Sequence, residues 1–242
     1  MPLVHLPLLK TQLELYGLPR GMERFRAYIK TMTDEETGDL ALPLVAMNPM
    51  GKDHIPALIE RYLALDAEGI AAQAIEEAGA LRTDYKVCLV VSDDLKGGWT
   101  NRWASEFGHR IEGAAITTRG FLTAILWTSE EPTATGVREA VLTSIYRAEY
   151  LQTHAAPTTL GDMLAQEGHA MARAGCTTPS LDEEDLAYTR SVIEPHLSAT
   201  ARATVIPCLF GDAAADALGY PPQGLSDRAG FALALHDHRS RR

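Results

Sequence analysis

Cysteine is scarce in this chain: Cys88, Cys176 and Cys208 are the three in 242 residues. They are odd in number, far apart and without a C-x-x-C pair, which argues against a disulfide framework and a cysteine-rich zinc site. Basic residues are also in deficit. The 22 Lys+Arg stand against 32 Asp+Glu, a formal net charge of −10, so the chain lacks the basic footprint that nonspecific nucleic-acid binding requires. No apolar run reaches the ~18 residues that span a bilayer. The segment from Met1 to Lys10 has neither the basic start nor the small-residue cleavage site of an export signal. These absences describe an acidic, cytoplasmic protein with no nucleic-acid or membrane partner. Motifs that would name a reaction are missing too: there is no G-x-G-x-x-G, no phosphate loop ending in Gly-Lys-Ser/Thr, no G-x-S-x-G elbow and no H-E-x-x-H.

What is present is globular composition, with 46% hydrophobic residues, and a repeating pattern. Residues 3 to 32 read as two short helices forming an N-terminal cap. Leu40 to Met47 is an apolar run of strand length, placed at a sheet edge because Pro43 lacks a ladder donor. A helical pattern follows from Ile55 to about Ala78, broken near Gly69. The strand Tyr85 to Val91 precedes a helix from about Thr100 to Phe107, and the strand Phe121 to Trp127 precedes one from Val137 to about His154. Ala115 to Thr118 suits an added strand or the lead-in to the next. Strands alternating with helices imply a mostly parallel sheet flanked by helices, and the expectation is a three-layer α/β fold in a single domain. Its parts would be the cap (1–38), the β-α core (39–154), a helix-rich C-terminal part (155–235) and a flexible tail (236–242). The run Thr204 to Phe210 is the candidate for one further strand.

The chemistry gathers at the carboxyl ends of these strands, where open α/β sheets hold their ligands. After Val91 the chain runs Ser92-Asp93-Asp94-Leu95-Lys96-Gly97-Gly98-Trp99-Thr100-Asn101-Arg102-Trp103. Asp93 and Asp94 are hard oxygen donors of the kind that Mg²⁺ or Mn²⁺ prefers; adjacent carboxylates alternate in extended chain, so one of the two would face a ligand. Trp99, Asn101 and Arg102 suit an anionic group at a helix start. The loop Asn48 to His54 brings Lys52, a second cation, and His54, the side chain that titrates nearest neutral pH. As plain structure, the same residues make a solvated acidic turn, a helix cap at Asp53 and a packed Trp pair.

The loop Thr128 to Gly136 completes the crevice. On the helix from Leu160, Glu167 falls at the centre of the apolar stripe, while His169 lies on the polar face. Glu167 therefore reads as a buried carboxylate, either a proton carrier beside His54 or the partner of Arg147 across a helical hairpin. The functional expectation is an enzyme acting on an anionic small molecule, a phosphate or carboxylate, with or without a divalent metal. A noncatalytic binding or assembly protein, forming homo-oligomers through exposed indoles, is the alternative.

Overall fold

The computed structural model describes residues 3–95 and 101–240. Their contacts divide into two compact units, Met1–Thr100 with Ala114–Ile145, and Asn101–Gly113 with Tyr146–Arg242. In the first unit β1 (Leu3–His5) leads through α1 (Leu9–Gly17), α2 (Met22–Met32), α3 (His54–Ala64) and α4 (Ala67–Ala78) to β2 (Tyr85–Ser92). The chain crosses to the second unit for α5 (Arg102–Ile111), returns through the short α6 (Ala114–Thr117) to β3 (Phe121–Trp127), and enters α7 (Ala134–Leu151). The three strands form one parallel sheet in the order β1-β2-β3, with helices around it, as an α/β fold requires. Val87, Cys88, Leu89, Val90 and Val91 are all buried. Both faces of β2 are covered, which explains a continuous apolar run rather than an alternating one.

β1 pairs with β2 only from Tyr85 to Val87. Higher up, the edge of β2 is finished by a side chain: Val91 N–H donates to Gln12 Oε1 at 2.8 Å, and Gln12 Nε2 donates to Val91 O at 3.1 Å. The amide of α1 thus substitutes for a residue of the missing strand. Gln12→Ala would leave both Val91 groups unpaired in the core, and a loss of about 2–4 kcal/mol is expected in urea denaturation.

Two strand expectations are corrected. Leu40 to Met47 holds a single bridge between Leu40 and Thr33 and a 3-10 turn over Leu44–Ala46. The edge beside β2 is filled by Leu3–His5, so part of the segment expected to be helical is strand instead. Thr204 to Phe210 lies within the helix α10 (Arg202–Phe210), where Val205 through Phe210 are buried. A buried helix and a buried strand look alike at that length. The break in the long helical pattern falls at Asp66, which adopts a left-handed φ of 59°, three residues before Gly69.

In the second unit α5 is joined by α8 (Leu160–Ala174), α9 (Glu183–Ile193), α10, α11 (Asp212–Leu218) and α12 (Ala229–Ser240). Their starts follow from sequence. Asn101 caps α5, Asp182 caps α9, and Thr159 with Asp162 forms a capping box on α8. Asp53 makes no such bond at α3, because its φ of −62° and ψ of −16° are helical rather than extended. Glycines let the helices of this unit approach closely. A Cβ on Gly168 would lie 2.5 Å from Ala234 O, and one on Gly230 2.3 Å from Cys208 O. Gly230→Ala is expected to cost about 1–3 kcal/mol, whereas Gly17→Ala, with nothing within 4 Å, stays within about 1 kcal/mol. Thermal melts of the two variants check this.

Candidate functional site

Strand alternation decides where the Asp93-Asp94 pair points. Asp93 turns toward α3, where His54 Nε2–H donates to Asp93 Oδ1 at 2.8 Å. The same oxygen accepts from Leu95 N–H at 3.2 Å. His54 is 18% exposed and Asp93 1%. Because an ionised carboxylate only accepts, the bond places the imidazole proton on Nε2 and leaves a lone pair on Nδ1. That Nδ1 is buried and has no hydrogen-bond partner among the described residues, and neither has the Oγ of Ser92, the residue before Asp93.

Asp94 turns the other way and ties the ends of β2 and β3 together. Ser129 donates to it twice, from N–H at 2.9 Å and from Oγ at 2.6 Å, while Asp94 N–H donates to Thr128 Oγ1 at 3.1 Å. The single Thr128 hydroxyl proton serves either Asp94 Oδ1 at 2.9 Å or Asp93 Oδ1 at 3.1 Å. The two carboxylates therefore face different partners with one shared hydroxyl between them. Among the described residues no group of three or more His, Cys, Asp and Glu side chains is arranged to hold a metal.

The loop that carries His54 is fixed from behind. Tyr16 OH donates to Asn48 O at 2.8 Å, and Arg24 donates to Gly51 O at 3.1 Å and to Tyr16 O at 3.0 Å. Burial raises the Tyr16 pKa, and the charge of Asp93 raises it further against the opposing Arg24. Gly51 has no room for a side chain, since a Cβ would meet Ile55 Cδ1 at 2.1 Å. Lys52 is exposed on this loop, next to the helix start. Trp99 lies outside the described residues.

The remaining candidates fall in the second unit: Asn101 Oδ1 accepts from Ala104 N–H at 3.1 Å as the cap of α5, and Arg102 and Glu167 belong to one network. Arg102 Nε–H donates to Glu106 Oε2 at 3.1 Å, and Arg110 Nε–H donates to Glu106 Oε1 at 2.7 Å. Arg228 reaches the same carboxylate with both Nη groups, at 3.0 and 2.7 Å. Arg110 then bridges to Glu167 Oε2 at 2.8 Å, where Arg147 also donates, at 2.6 Å to Oε1 and 3.0 Å to Oε2. Arg228 is delivered by a left-handed backbone of φ 54°, a conformation that costs about 1–2 kcal/mol outside glycine. Burial pushes the Glu167 carboxyl up, but Arg147 and Arg110 outweigh it and hold it at about 2. Glu106 is driven lower still by Arg110, Arg228 and Arg102, against a similar desolvation cost.

Nucleophilic cysteine has no place here. All three cysteines are buried, and burial pushes the Cys88 thiol up to about 12 and that of Cys208 to about 11. A cavity of about 320 Å³ lies between α8, α9 and α12, lined by Leu164, Ile193, Leu197 and Leu233, with Arg190, Asp237 and His238 also on its wall. Among the described residues no helix is long and apolar enough to cross a membrane.

Thr128, Ser129, Glu106, Arg110 and Arg228 carry more of these contacts than the sequence reading assigned them. Arg102, Glu106 and Arg110 recur at four-residue spacing, a signal of one helix face. No family model and no solved structure matches the chain. Over 99 residues it is 33% identical to the uncharacterized protein YjfC of Bacillus subtilis (strain 168), covering 37% of this chain and 33% of that relative. The chain thus spans about a third of the length of the curated relative it matches.

Proposed function

We propose that this chain is a cytoplasmic enzyme that moves a proton on an anionic small molecule at the carboxyl ends of β2 and β3, with His54 as general base. The observation that carries this reading is the His54–Asp93 hydrogen bond of 2.8 Å together with the unpartnered, buried His54 Nδ1. A carboxylate behind an imidazole fixes its tautomer, orients the ring and stabilises the imidazolium formed when the far nitrogen takes a proton. Buried polar atoms are nearly always bonded, so a bare Nδ1 at the start of α3, on a ring bonded to Asp93 just past β2, is a position for a substrate proton. Lys52, exposed on the same loop, supplies the cation that attracts a phosphate or carboxylate. Glu167 is a poor alternative base at neutral pH, since a group held at about 2 stays ionised and binds protons weakly.

A thermal-shift screen of small phosphates, carboxylates and neutral metabolites tests the reading. Anionic substrates are expected to raise the melting temperature of the wild type by more than that of His54→Gln. A panel in which no anion distinguishes the two proteins would overturn it.

A further inference from the structure

We propose that the cavity between α8, α9 and α12 is a binding site for an organic ammonium ion with an apolar body. The space is left by small residues on two of the three helices: Gly161 and Ala165 face it from α8 and Ala234 from α12. An apolar cavity of about 150 Å³ holds benzene, so one of about 320 Å³ suits roughly twelve non-hydrogen atoms. Its wall is already formed. Gly161 N–H donates to Leu197 O and Leu160 N–H to Ala199 O, both at 2.9 Å, which pins the chain that follows α9 to the start of α8. Ile193 and Leu233 line the cavity as buried residues, while Leu197 on the same wall is 42% exposed, apolar area that a bound chain would remove from water. A ligand therefore meets a preformed pocket and loses little in ordering it. The site lies in the second unit and stands whether or not His54 acts as a base.

Charge selects the head group. Arg190 on α9 and Asp237 on α12 bind one another, Nη1–H donating to Oδ2 at 2.8 Å and Nη2–H to Oδ1, so this pair is neutral as a unit. Glu194, which follows α9, lines the same cavity, and its carboxylate accepts no hydrogen bond from a described residue. The wall thus carries one cation, Arg190, against two anions, Glu194 and Asp237, an excess of one negative charge with His238 neutral. The charges next to the wall in sequence cancel in sign and are held: Asp162 in the capping box of α8, and Arg239 on Cys176 O. An ammonium presents three N–H donors to an acceptor-only carboxylate, whereas a carboxylate or phosphate head would be repelled by it.

Calorimetric titration of the full chain with n-decylammonium chloride, below its micelle-forming concentration and at constant ionic strength, tests the assignment. One saturable site is expected, with sodium decanoate about tenfold weaker, because Glu194 repels its head rather than binding it. Glu194→Gln should weaken decylammonium about threefold, the size of an exposed ion pair, and narrow its lead over decanoate. Glu184→Gln, which removes an exposed charge from the first turn of α9 away from the cavity wall, should bind as wild type.

Ala165→Phe places a ring in the cavity from an exposed position of α8 and should abolish binding of both amphiphiles while melting near the wild type. Unaltered binding in Ala165→Phe, absence of saturable binding by the wild type, decanoate binding as tightly as decylammonium, or equal affinities in Glu194→Gln and Glu184→Gln would each overturn the proposal. The two glutamate variants decide alone if Ala165→Phe does not fold.

Discussion

Glu106→Gln is expected to remove about 3–5 kcal/mol of stability, the cost of leaving buried guanidiniums without their counter-charge. The carboxylate accepts from Arg102, Arg110 and Arg228, and the residue is 2% exposed, so solvent screens none of it effectively. Glutamine keeps the shape but replaces two anionic acceptors with one carbonyl and an NH₂ that opposes the arginines. Glu35→Gln provides the contrast. Its pair with Lys30 is 72–76% exposed, and exposed pairs contribute about 0–1 kcal/mol. Urea denaturation of the two variants separates these magnitudes by several fold.

The same network sets the acid limit. Glu167 sits at about 2 in the folded protein against an ordinary 4.5, so the unfolded chain binds the proton more tightly. The resulting stability is complete above about pH 4.5 and is lost as the pH falls from there toward 2. Melting temperatures across that interval should drop steeply. Arg147→Met, which withdraws the leading charge on Glu167, brings the folded value nearer the unfolded one, so that variant should lose less stability across the same interval than the wild type.

Asp93→Asn is expected to cut turnover of the substrate found by screening by about 10²–10⁴, the range general acid–base groups contribute. Asparagine can keep its carbonyl at the Oδ1 position, where Leu95 N–H and His54 Nε2–H donate. Local geometry and folding therefore survive. What disappears is the negative charge behind the ring, and with it the stabilisation of the imidazolium that forms when Nδ1 takes a proton. The loss belongs in kcat more than in KM, because the interaction strengthens only as the proton moves. A matched fall in melting temperature would instead make Asp93 a structural anchor.

Strand-end chemistry was legible in the sequence because β2 and β3 announce themselves as apolar runs ending in polar residues. That pattern places Asp93, Asp94 and Ser129 at one end of the sheet, whereas His54 is expected there only as the residue following the run Leu40 to Met47, which is not a strand. The helix spacing that sets Glu167 on an apolar stripe likewise pointed to Arg147. Other features had no local signature. β1 is three residues long, too short for any periodicity, and the apolar run at Leu40 claimed its place. Gln12 finishes β2 from 79 residues away, and Arg228 reaches Glu106 from 122. Such partners are chosen by tertiary packing, which a local pattern does not encode. The run Thr204 to Phe210, a candidate strand by its apolar length, is a buried helix.

The central claim, that His54 Nδ1 is the atom that meets a substrate proton, is tested most directly by a crystal structure with the screened anion bound. The account predicts a ligand oxygen, nitrogen or carbon acid within hydrogen-bond reach of His54 Nδ1 while Nε2 stays on Asp93. A ligand bound elsewhere in the first unit, with His54 Nδ1 bonded only to protein, would contradict it.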